Sequence, residues 1–264
     1  MPFPPHKRVE YQRNPLTEVI FQARFNRLLE IESSLPLEYQ SKIGNDYPIL
    51  EQRNIFKISF QSGAPQPGAT PLGDQSREYD FLSQDRNWKI SLSSGFIALS
   101  TRKYIHWESF RDRLNWMLNR FFEVYHPPFF TRLGLRYQNL IVRSSLDLER
   151  MSWQQLLKPQ ILGELFSDAI PESDVESRQA NLLIRLSENE RLQVSHGFLM
   201  NAVSAEVAYM IDSDFSWVGD RKADVDDAIR ATNGLKDHAG RFFRWCISDQ
   251  LHSAMDPKPI AERE

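Results

Sequence analysis

The stretch Thr131–Arg143, TRLGLRYQNLIVR, alternates like a strand, yet it carries Arg132, Arg136 and Arg143 among leucines, with Gly134 in its middle. Leu133, Leu135 and Tyr137 share one face; Arg132, Gly134, Arg136 and Gln138 share the other. That is the two-residue period of a strand with one buried side. Asn139 and Leu140 break the alternation, which places a bulge nearby. An earlier stretch, EVIFQARF (Glu18–Phe25), has the same character. Val19, Phe21, Ala23 and Phe25 point one way, and Glu18, Ile20, Gln22 and Arg24 the other. Each of the two strands therefore carries a charged polar row, and together the rows hold both signs.

Around these strands the order of elements repeats. In the first half, the Glu18 strand is followed by a short helix in LPLEYQSKIGNDYP, with Pro36 in its first turn and Gly44 and Pro48 at its end. IFKISF (Ile55–Phe60) is a strand, and the Gly- and Pro-rich SGAPQPGATPLGD (Ser62–Asp74) is a surface loop. Further strands follow, with turns at Asp85–Asn87 and Ser93–Gly95. From Trp107 to Tyr125, Phe110, Leu114, Met117, Phe121 and Val124 form one helical stripe that Pro127 and Pro128 stop. In the second half, the opening strand leads to a helix over Trp153–Phe166, kinked at Pro159. ANLLIRL, RLQVSHGFL and SAEVAYMID are strands. A long helical segment runs from Asp224 to about Met255, with Gly234 and Gly240 as weak points, and DPKPIAERE is a frayed tail. The expectation is an α+β fold: antiparallel sheet backed by two long helices, an internal duplication with halves 1–126 and 127–264 packed as one unit.

With 264 residues, the chain can bury a core without staples. Its single cysteine, Cys246, cannot close an internal disulfide and reads as a buried thiol on the last helix. No apolar run reaches membrane-spanning length and the first residues lack a signal-peptide core, so a soluble cytoplasmic protein without membrane contact is expected. Net charge is −3 but unevenly spread. Residues 1–100 are balanced, 101–143 carry a net +5, and 144–264 a net −8. A basic middle suits an anionic partner or opposite faces of two copies; equally, long arginines can cover apolar surface with their heads in water.

Four stretches in order are NPLTEVIFQARF (Asn14–Phe25), YIHWESF (Tyr104–Phe110), RLGLRYQN (Arg132–Asn139) and Asp212-Ser213-Asp214. Together they resemble a sporadically distributed bacterial family of about this length with no assigned activity. The resemblance implies a cytoplasmic protein of accessory-gene type and brings no catalytic residues. The loop at 62–74 departs from the pattern.

Motifs for nucleotide phosphates, zinc proteases and serine hydrolases are missing from the chain. The six histidines are scattered; His196 has no evident acidic partner. Asp212, Asp214, Ser216 and Asp220 resemble a calcium loop, but Trp217 stands where glycine is needed and Ala223 where the bidentate glutamate is needed. Asp220, Asp224, Asp226 and Asp227 instead suit the start of a helix. No metal and no cofactor are called for. Arg102, Lys103, Arg111, Arg113 and Arg120, with Tyr104, Trp107 and Trp116 near them, raise nucleic-acid binding, against which stands a pI near 6.1.

The reading that follows is a binding protein rather than an enzyme. Its recognition surface is the polar sheet face of Arg132, Arg136, Gln138, Glu18, Gln22 and Arg24, walled by Trp107, and its partner is a protein or a small anion. The alternative is an enzyme or binding protein for a nucleotide-like or phosphorylated ligand or a nucleic acid. A structural alternative for the arginines is open as well: a cross-strand ion pair with Glu18 or another acid.

Overall fold

The computed structural model describes residues 2–57, 74–167, 169–201 and 206–260. Its strands are β1 (Val9–Tyr11), β2 (Leu16–Phe25), β3 (Ile49–Lys57), β4 (Asp74–Leu82), β5 (Trp88–Ser93), β6 (Phe96–Thr101), β7 (Phe129–Ile141), β8 (Gln179–Arg185), β9 (Glu190–Met200), β10 (Val207–Lys222) and β11 (Pro257–Pro259). Its helices are α1 (Leu29–Ser33), α2 (Leu37–Ile43), α3 (Trp107–Phe122), α4 (Trp153–Leu156), α5 (Pro159–Leu162), α6 (Val225–Cys246) and α7 (Asp249–Ala254).

Nine strands form one antiparallel sheet in the order β3-β4-β5-β6-β2-β7-β10-β9-β8. The strand carrying the arginines, β7, lies at its centre beside β2, with Gln22 opposite Gly134 and Arg24 opposite Arg132. Outward from this pair the order is β2, β6, β5, β4, β3 on one side and β7, β10, β9, β8 on the other, alike except for the extra edge strand β3. That is the order a duplicated unit would give; it describes the topology of each half, not their ancestry. The chain is α+β, as expected from the pattern.

The inward rows of the central strands make the core. Val19, Phe21, Ala23, Leu133, Leu135 and Ile141 are fully buried, each large apolar side chain contributing about 1.5–3 kcal/mol. Helices α3 and α6 cover this side. On α3, Phe110, Leu114, Met117 and Phe121 are buried, and the His106 imidazole caps its first turn by accepting from the Ser109 amide at 3.2 Å. On α6, Ala228, Leu235, Ala239, Phe242 and Cys246 face the core. Asp224 caps it, accepting from the Asp227 amide at 2.9 Å, and Asp226 and Asp227 sit in its positive first turn. Burial raises the Cys246 thiol well above its ordinary range.

Several expectations change. The helix at 153–166 is three short pieces, because Leu157 turns extended and bridges to Ile247. α6 runs unbroken through Gly234 and Gly240 and ends instead where Ile247 joins that bridge. The tail is not frayed over its described part: Pro257–Pro259 pairs with β1 in a two-stranded ribbon. The strand expected in SAEVAYMID extends to Lys222, so Asp212, Asp214, Ser216 and Asp220 lie on β10 and not in a loop. The bulge expected near Asn139 lies on the neighbouring strand, at Thr17 of β2 opposite the Gln138–Asn139 step, so Asn139 keeps its inward place; a second register shift falls at Thr131 of β7. Most of the 62–74 loop and the end of the Ile55–Phe60 strand lie outside the described residues.

Candidate functional site: a cavity between the helices and a paired arginine face

The arginines of β7 stand on the sheet face away from the helices, and each is held by a carboxylate of β10. Arg132 Nη2 donates to both oxygens of Asp214 at 2.7 Å. Arg136 Nε donates to Asp212 Oδ1 at 2.7 Å, and its Nη2 to the other oxygen. Gln138 donates to the same Asp212. Hydrogen bonding to Asp212 raises the Arg136 pKa. These charge-assisted pairs occupy the forks that were expected to grip a ligand. Glu18 sits opposite Gln138 and makes no ion pair with Arg132 or Arg136. Gln22 accepts from Arg24 Nε at 2.8 Å, and burial, followed by the neighbouring Arg132 charge, lowers the Arg24 pKa.

Trp107 does not wall this face. It is 3% exposed on the helix side, its Nε1 donating to Asn233 Oδ1 at 2.8 Å and so tying α3 to α6. The basic helix arginines likewise lie over rings: Arg113 is 4.7 Å from the Trp88 centroid and Arg120 6.0 Å from that of Trp116. Among the described residues, no three His, Cys, Asp or Glu side chains are grouped to hold a metal.

On the helix side lies a cavity of about 370 Å³. Its floor is the inner face of β7 and β10, through Tyr137, Asn139 and Ser213; its walls are Tyr104–Trp107 and the Lys236–Phe243 stretch of α6; the β1 strand with Arg8, Glu10 and Tyr11 closes one side. Tyr104 and Tyr137 meet edge to face, with ring centroids 6.2 Å apart. Burial pushes both hydroxyls above their ordinary range. Arg8 pairs with Glu108 at 2.8 Å, and that guanidinium lowers the Glu108 pKa to about 2. Tyr11 meets His252 Nδ1 at 2.8 Å, and burial raises its pKa to about 12. The ribbon is thus pinned at both ends across the cavity.

Of the residues assigned from the sequence to the recognition surface, Trp107 alone lines this cavity, while Glu18, Gln22, Arg24, Arg132, Arg136 and Gln138 stand on or along the opposite sheet face. Sequence reasoning missed Asn139, Glu10 and Asp237 as site residues, and named Tyr104 only as a stacking surface for nucleic acid. A signal existed for Asn139: an amide in a row otherwise filled by leucine, tyrosine and isoleucine. For Glu10 there was none, because its place depends on the pairing of β1 with β11.

No protein-family model, curated protein or solved structure matches the chain.

Proposed function

We propose that this is a binding protein that holds a small organic ligand in the cavity between its two long helices. One observation carries the reading. The four separate stretches that stood out in the sequence meet at this cavity: Asn14 and Leu16 from the first, Tyr104–Trp107 from the second, Tyr137 and Asn139 from the third, and Ser213 from the fourth. The cavity is concave and combines aromatic rings with inward polar and charged groups, the elements from which ligand pockets are built. Burial favours the neutral hydroxyls of Tyr104 and Tyr137, which offer a ligand hydrogen-bond groups.

A thermal-shift screen of small organic molecules tests it, with Gly240→Phe as the control. Gly240 lines the cavity and the nearest atom to an added Cβ is His6 Nε2 at 3.8 Å, so the ring fills the site. Hits are expected to lose binding in Gly240→Phe and keep it in Arg136→Gln. Hits insensitive to Gly240→Phe reject the cavity.

A second reading keeps the sheet face as a dock for a carboxylate-bearing protein surface. It is favoured by Arg24, which is exposed, stands opposite Arg132 and makes no ion pair with a described residue. A partner lost on Arg24→Gln but kept on Gly240→Phe would select it.

A further inference from the structure

We propose that the cavity takes a protonated amine, its N–H groups shared between Asn139 on the floor and Glu10 on the ribbon. The inference rests on the cavity being a binding site and adds the charge and hydrogen-bond sense of its occupant.

Asn139 is 4% exposed and lines the cavity. The one side-chain hydrogen bond it makes to a described residue is long, Nδ2 donating to the Ile211 carbonyl at 3.5 Å. Its Oδ1 accepts from no described residue. In a side chain that lines the cavity, this free amide oxygen is open to a donor from an occupant. Glu10 is half-buried, lines the same cavity, and makes no ion pair or side-chain hydrogen bond with a described residue. Its charge opposes ionisation of Tyr104, so it lies within electrostatic reach of that wall of the cavity. Two acceptors, one neutral and one anionic, therefore lack donors.

The other charges are largely answered inside the protein. Arg8 is held by Glu108 and Lys236 by Asp237 at 2.6 Å. Arg241 lines the cavity without an ion-pair partner among the described residues and leaves room for an anionic group on the same ligand. Tyr104, Tyr137, Trp107 and Phe243 present rings to the apolar body and to the cation. A quaternary ammonium would satisfy the rings and Glu10 but leave Asn139 Oδ1 unpaired; an alcohol would leave Glu10 without a counter-charge.

The probes are 2-phenylethylamine, its N,N,N-trimethyl derivative, 2-phenylethanol and 3-phenylpropionate, titrated calorimetrically at neutral pH into wild type, Glu10→Gln and Gly240→Phe. The primary amine is expected to bind about tenfold or more tighter than the other three, and Glu10→Gln to weaken the amine about tenfold while leaving the alcohol unchanged. Glu10 is on the partly exposed ribbon, so the variant keeps the core. Equal binding of alcohol or carboxylate, or an amine affinity unmoved by Glu10→Gln, overturns the amine. If Gly240→Phe still abolishes the binding in that case, the cavity stands and only its ligand class falls. Binding of no probe to wild type overturns the proposal, and hits from other chemical classes that Gly240→Phe removes would then preserve the cavity.

Discussion

The guanidinium of Arg132 lies over Gly134: a Cβ on Gly134 would come within 2.2 Å of Nη1. The arginine runs along its own strand face, across the glycine, to reach Asp214 of β10, whose strand partner is Arg136. Gly134 serves a side chain and not the backbone. Gly134→Ala is expected to push the flexible guanidinium aside, breaking the pair at a cost of about 1 kcal/mol. In an Arg132→Gln background the same substitution is expected to cost little. The coupling, read from urea midpoints in a double-mutant cycle, is the check; additive costs would show that the glycine is needed for another reason.

Replacing Arg132 and Arg136 together by glutamine leaves Asp212 and Asp214 without counter-charges at positions 17% and 28% exposed. The double variant is expected to lose about 1–3 kcal/mol while keeping its circular dichroism spectrum. Adding Asp212→Asn and Asp214→Asn is expected to restore most of the loss. Failure of that rescue would mean that the arginines are anchored elsewhere.

Gly197 adopts φ +154°, and a Cβ there would lie 2.0 Å from the Arg178 carbonyl oxygen. The obstacle is backbone, held by the Phe198 amide donating to the same oxygen at 2.9 Å. Gly197→Ala is expected to destabilise by about 2 kcal/mol or more and to loosen β8 from β9. Faster amide exchange in β8 than in β2 would report it; an unchanged melting temperature would contradict it.

His196 is buried, with Nδ1 2.9 Å from the Tyr209 hydroxyl and 3.2 Å from Arg178 Nη1, and Arg178 is held in turn by Glu164. Burial, then the Arg178 charge, lowers its pKa to about 4. In the unfolded chain the imidazole takes a proton near its ordinary pKa of about 6.5. Stability from the neutral ring is therefore complete above about 6.5 and is lost as pH falls towards 4. The loss is expected to be on the order of 1–2 kcal/mol, solvent screening the rest. His196→Gln is expected to flatten the pH 7 to 5 stability profile relative to wild type; parallel profiles would assign the slope to other groups.

The α3 and α6 stripes and the inward rows of β2 and β7 were legible because period and apolarity are local properties of the chain. The helix breaks at Leu157 and Ile247 were not, because each is made by a bridge to the other, 90 residues away. The arginine stretch shows the division most clearly. Its alternation told which residues would face out, and the chain itself supplied Asp212 and Asp214, two residues apart on another strand. Only the β7–β10 register brought those carboxylates within reach of Arg132 and Arg136 and turned an expected ligand grip into two internal pairs. The same folding gathered Asn139, Tyr104 and Glu10 around one cavity, although they stand far apart in sequence. Periodicity sets which way a side chain points; pairing across the sheet and the seating of the ribbon set what it meets.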